Sequence, residues 1–175
     1  MIEPEAGQAA LVAAFERGAV AGVPAPVERI DTHLSHVFLS NDRAFKLKRA
    51  VRLPFVDFST IEQRRQACGA ELTVNQRFAS ALYLDARPVA RQGDRFAIGG
   101  DGETADWIVL MRRFAQEHQF DRLADDGLLT EDLARRTAVS LAAAHDGVAA
   151  TQDAGHVSAY RQIVRGLRAT EQDGA

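Results

Sequence analysis

The chain has 175 residues, 46% hydrophobic and 26% charged, and its 21 basic and 24 acidic side chains leave a formal net charge of −3. That composition suits a globular chain with one core or two small lobes; it excludes a disordered chain, a collagen-like repeat and a disulfide-stapled mini-protein. Near-neutral charge argues against a dedicated nucleic-acid binder, and the lone cysteine, Cys68, cannot form an internal disulfide, so a reducing compartment is expected.

The acidic start Met1-Ile2-Glu3-Pro4-Glu5 lacks the basic region of a signal peptide, and no apolar run approaches the roughly 18–20 residues of a membrane span. A cytoplasmic protein without a membrane partner is the expectation. Ala6 to Arg17 is alanine-rich, with Leu11, Val12 and Phe15 at helical spacing, and Gly18 and Gly22-Val23-Pro24-Ala25-Pro26 end it. Residues 1–27 therefore read as a leading helix and a rigid linker.

Leu34 to Leu39 alternates, with Val37 and Leu39 on one face and His36 and Phe38 on the other. Ser40-Asn41-Asp42 is turn chemistry. In Arg43 to Lys48, Phe45 and Leu47 face one way while Ala44, Lys46 and Lys48 face the other. A β-hairpin follows from these patterns. Residues 43–65 carry seven basic side chains against two acidic ones, a local +5, which is either an anion-facing surface or a solvated face.

Ser59-Thr60-Ile61-Glu62 has the form of a capping box, so a helix is expected from about Thr60 to about Ser80. Its apolar side is marked by Ile61, Cys68, Leu72, Phe78, Ala79 and Leu82, and Glu71 and Asn75 fall inside that stripe. A carboxylate there must be paired, or else reach water at a ragged edge of the helix. Lys46, in the preceding hairpin, is the expected partner, and Lys48 on the same face competes for the role.

A second strand pair is expected over Leu84 to Val89 and Arg95 to Ile98, then a turn at Gly99-Gly100-Asp101-Gly102 and a buried strand over Trp107 to Met111. Residues 117–153 hold eight acidic side chains against three basic ones, a local −5. From Thr130 the pattern is helical, with Leu133, Thr137, Leu141 and His145 near one face, and His145 reads as a hydrogen-bonded core histidine. A last helix is expected over Val157 to Ala169. The fold class is α+β: an antiparallel sheet of about five strands with one packed helix, then a helical layer. His33 and His36 point to opposite faces of a strand and do not suit a metal site.

A strand lysine held by a helix glutamate is a known way to aim an ammonium at nucleotide phosphates, and Ala44-Phe45-Lys46 has the A-x-K spacing that leaves room for an adenine ring. Thr32 to Leu39, Ala44 to Arg49, Asp57-Phe58-Ser59-Thr60 with Glu62 and Arg64-Arg65, Glu71-Leu72 with Asn75, Leu82-Tyr83-Leu84, Val109 to Phe114 and Leu141 to His145 carry a wider similarity. Over roughly residues 28–148 the sequence resembles the aminoglycoside phosphotransferase-like kinases. More narrowly, it resembles an uncharacterised bacterial group in which such a domain is often fused to a P-loop kinase domain.

The resemblance implies a protein-kinase-like N-lobe over residues 28–115 and a partial helical C-lobe over 116–175. It implies ATP as ligand, with Lys46 on the phosphates, Glu71 anchoring Lys46, and the Thr32 and Ser35 hydroxyls assisting in a loop that lacks G-x-G-x-x-G. Ala44 would make room for the adenine, and Met111 to Phe114 would form the hinge against it; Met111 and Phe114 also suit an ordinary core.

The family's catalytic-loop aspartate, in an H-G-D-x-x-x-x-N segment, and its later magnesium-binding aspartate have no counterpart in residues 146–175. His145-Asp146-Gly147 has the letters in the wrong order, and His156 has no aspartate two positions on. Without a base and a metal ligand the chain alone is expected to be a poor kinase or none. Phosphotransfer, and magnesium with it, is expected only in a longer relative. A truncated lobe would expose apolar surface and self-associate. Two other readings stand beside this one. A non-catalytic binding or interaction module could keep the lobe. A small ligand-binding domain without kinase ancestry predicts Lys46 and Glu71 more than about 6 Å apart.

Overall fold

A computed structural model describes residues 4–147, with side-chain burial from Gln8 onward. The helix expected over Val157 to Ala169 lies outside the described residues. The chain begins with helix α1 (Pro4–Glu16), then strands β1 (Val20–Ala21), β2 (Glu28–Asp31), β3 (Ser35–Ser40), β4 (Arg43–Lys48), β5 (Arg52–Leu53) and β6 (Val56–Asp57). Helix α2 (Ile61–Ala79) precedes β7 (Tyr83–Gln92), β8 (Arg95–Ile98) and β9 (Glu103–Arg112). A 3-10 turn at Gln116–His118 leads to α3 (Phe120–Asp125) and α4 (Glu131–Asp146).

The architecture is α+β. Among the described residues the main sheet has seven strands in the order β1-β8-β7-β9-β4-β3-β2, and β5-β6 form a separate two-stranded piece. This corrects the expectation of about five strands. The additions are short or polar: β1 has two residues, and β2 reads Glu28-Arg29-Ile30-Asp31. Neither shows a hydrophobic alternation long enough to register in sequence. All pairings are antiparallel except β1 with β8.

The β3–β4 hairpin turns at Asn41-Asp42, where Asn41 takes φ +49°, a conformation its short polar side chain tolerates. The register sets Lys46 against Val37 on one side and Val109 on the other, so the lysine lies inside the sheet rather than at its edge. Strand alternation then separates two faces. Phe38, Phe45 and Leu47 point to one face, where α1 packs: the Phe15 ring stacks on Phe38 at 4.3 Å and 7°, and meets Phe45 at 6.3 Å. Leu11, Val12, Phe15, Val20 and Val23 join Phe38, Phe45, Leu47, Val89, Phe96 and Ile108 in one buried cluster. The leading helix and the segment after it thus form part of the sheet's own core. That segment, read from sequence as a linker, pairs with β8 through Val20–Ala21 and accepts the Ser40 hydroxyl at the Pro24 carbonyl.

On the opposite face, α2 packs on β9 and β7. It starts at the N-cap Thr60, whose hydroxyl accepts from the Gln63 amide while the Gln63 side chain accepts from the Thr60 amide. The capping box is therefore Thr60/Gln63, one residue later than the Ser59/Glu62 frame. The inward stripe also differs from the expected one. Arg64 and Cys68 are buried and Glu71 and Asn75 are half-buried, whereas Ile61 and Phe78 are exposed. The four inward residues lie three or four apart, and three of them are polar. His145 is exposed and meets the Phe78 ring edge-on at 5.9 Å, which corrects its reading as a core histidine. No helix among the described residues is long and apolar enough to cross a membrane.

Candidate functional site

Lys46 and Glu71 meet across β4 and α2. Lys46 Nζ donates to Glu71 Oε1 at 2.7 Å, and Lys48 Nζ donates to Glu71 Oε2. The two lysines share a face because they are two residues apart on one strand, and the glutamate reaches them because it sits one turn after buried Cys68 on the inward side of α2. One carboxylate between two ammonium groups leaves a net local charge of +1.

Burial acts to raise the Glu71 pKa. The hydrogen bonds and charges of Lys46 and Lys48 outweigh it, so the carboxyl titrates below its ordinary value of 4.5. Burial pushes the nearby Tyr83 hydroxyl up, and the Glu71 charge adds to that rise.

Beside this triad lies a cavity of about 510 Å³. It opens between the β2–β3 turn, the face of β3 and β4, and the chain leaving β9. Thr32, Ser35, Ala44, Lys46, Met111 and Phe114 all line it. Glu71 stands behind Lys46 and Lys48 rather than in the wall. The structure thus gathers all seven residues singled out from sequence, and Lys48 lines the cavity as well.

Their settings differ. Ala44 is buried and pairs with Met111, which is half-buried. Phe114 is exposed at the rim and so is not core. The Thr32 hydroxyl donates to the Ser35 carbonyl and accepts from the Ser35 amide, so its proton is engaged in closing the turn. Sequence reasoning did not single out the apolar walls Ile30, Val37 and Leu39, nor the polar rim residues Gln116 and Gln119. Val37 and Leu39 were legible in principle, since they pair with Lys46 and Ala44 and so share their face.

The basic segment 43–65 is largely neutralised within the molecule. Arg64 pairs with Asp106, Arg65 with Glu62, Arg52 with Asp57 and Arg43 with Asp42. What remains beside the cavity is the +1 of the lysine–glutamate triad, together with Arg113, which bonds to Glu28 at 3.2 Å. Among the described residues no group of three or more His, Cys, Asp and Glu side chains is gathered that could hold a metal ion. The geometry can therefore bind an anion at one end and a flat apolar group along its walls.

Over 115 residues the sequence is 36% identical to uncharacterized proteins of Mycobacterium tuberculosis and of Mycobacterium bovis. The match covers 66% of this chain and 22% of the length of each relative. No family model matches the sequence, and no solved structure matches it.

Proposed function

We propose that the chain carries a kinase-like lobe, related to the aminoglycoside phosphotransferase-like kinases, that binds an ATP-type nucleotide. The observation that carries this reading is the 2.7 Å bond between Lys46 and Glu71 at the wall of an apolar cavity. A lysine on a central strand, held by a glutamate from the helix that follows, is the arrangement that aims an ammonium at α- and β-phosphates. The reading without kinase ancestry predicted these groups more than about 6 Å apart, and the 2.7 Å bond does not meet that prediction. Ala44, Val37, Leu39 and Met111 offer apolar surface to a base, and the cavity volume falls within the range of small-molecule sites.

Phosphoryl transfer also needs a base and metal-binding carboxylates, and the H-G-D-x-x-x-x-N form that the resemblance calls for does not occur in residues 146–175. The proposal is confined to nucleotide binding, with phosphotransfer expected in a longer relative. A second reading, a non-catalytic binding or interaction module derived from such a lobe, draws on the exposed Phe120, Leu128, Val139 and Leu141 of the helical segment that follows the sheet. It keeps the lobe for binding a nucleotide or a partner protein, without phosphotransfer.

Calorimetric titration with ATP, comparing the parent protein with Lys46→Ala, tests the nucleotide role. Loss of a charge-assisted contact should weaken binding about tenfold or more in the variant. Equal weak or absent binding in both proteins would overturn the nucleotide reading.

A further inference from the structure

Two lysines meet one glutamate, and their surroundings are not equivalent. The side chain of Lys46 is 27% exposed, against 10% for Lys48 and 11% for Glu71. The Lys48 ammonium lies 5.5 Å from the centroid of the Phe58 ring, which covers it, and the Lys48 carbonyl accepts from the Gln8 side chain. Each ammonium takes a different carboxylate oxygen.

We infer that the two cations divide the work: Lys46 is presented to the ligand, and Lys48 is a positioning residue that holds Glu71 in place. The inference rests on the nucleotide reading above and deepens it. The physical reason is the cost of an unpaired charge. If Lys46 turns toward a phosphate, it gives up part of its bond to Glu71, and without a second cation the half-buried carboxylate would be left unpaired at a large cost. With Lys48 fixed on the second oxygen, Glu71 stays neutralised while Lys46 bridges carboxylate and ligand. A lone lysine on the same strand would have to choose between the two anions. The second lysine therefore acts through Glu71, not by touching the ligand, even though its side chain reaches the cavity wall.

A double-mutant cycle on ATP affinity tests this in the full chain, with folding checked by circular dichroism. Lys48→Met should weaken ATP binding about tenfold in the parent, and less than about twofold when Glu71 is already Gln. Lys46→Met should weaken binding in both backgrounds. A purely structural role for Lys48 would lower the melting temperature without this dependence on residue 71. If Lys48→Met does not fold, Lys48→Gln supplies the same comparison. Equal losses from the Lys48 change in both backgrounds would show direct ligand contact and overturn the inference, as would no loss in the parent background. A parent protein that binds no ATP would instead remove the nucleotide reading, and this inference with it.

Discussion

Arg64 and Asp106, 42 positions apart in the chain, form a buried ion pair at 2.8 Å that ties α2 to β9. Asp106 Oδ2 also accepts from Gln8 of α1 at 2.5 Å, and Oδ1 accepts from the Trp107 amide. The Arg64 guanidinium further donates to the Phe58 carbonyl at 2.7 Å. One carboxylate thus joins the helices from the two faces of the sheet, and α2 is the helix that carries Glu71. Fixing its N-terminal end fixes the distance over which Glu71 reaches β4.

Removing one partner of this pair should be far worse than removing both. Arg64→Met leaves Asp106 charged and buried, and should cost about 3–5 kcal/mol in urea denaturation. Arg64→Met with Asp106→Leu should recover a good part of that loss. A double variant as unstable as the sum of the two single ones would show that Arg64 and Asp106 contribute independently, and would overturn the reading that an orphaned charge is what costs stability.

Phe15 is fully buried and stacks on Phe38. If α1 is part of the core, Phe15→Ala should cost about 3–5 kcal/mol, the range for emptying a buried aromatic site. A midpoint within experimental error of the parent would mean that α1 is dispensable for the fold.

The Lys46–Glu71 meeting was legible because two periodicities announced it. Ala44, Lys46 and Lys48 alternate with Phe45 and Leu47, and Glu71 interrupts a helical stripe that also holds Cys68. The Arg64–Asp106 pair was not legible, although half of its signal was present. Arg64 lies four residues before Cys68 and seven before Glu71, on the same inward line, but it sat within a basic run that read as surface. Asp106 immediately precedes the apolar run Trp107 to Met111, where a charged residue usually marks a strand end, although β9 begins at Glu103. Strands β1 and β2 escaped notice because tertiary pairing, not side-chain pattern, makes them strands: Val20–Ala21 gains its ladder only from Phe96–Ala97. Ile61 and Phe78 were misassigned to the buried side because apolar type was weighted above position on the helix.

Cys68 is buried, with its sulfur 3.8 Å from the Trp107 carbonyl, and burial pushes its pKa up to about 12. The thiolate is the reactive form, so the native protein should resist a disulfide reagent at about pH 8 and react fully in denaturant. Rapid labelling of native protein would place this helix face in contact with solvent and contradict the packing of α2 on β9.

Glu71 gives the sharpest pH dependence. Its folded pKa is lowered from 4.5, despite the opposing effect of burial, because Lys46 and Lys48 favour the charged form. A carboxylate with a depressed folded pKa contributes stability that is complete above its unfolded value and fades as pH falls through the folded one. Glu71→Gln removes this contribution and leaves other acid-sensitive pairs, such as Asp31 with Arg29, in place. Urea midpoints for parent and variant should therefore differ most at about pH 7 and converge as pH falls through the carboxyl's lowered pKa, where the parent's carboxyl is protonated and resembles the amide. A gap that stays constant across that range would mean that shape, not charge, accounts for what Glu71 does, and would remove the electrostatic basis for aiming Lys46 into the cavity.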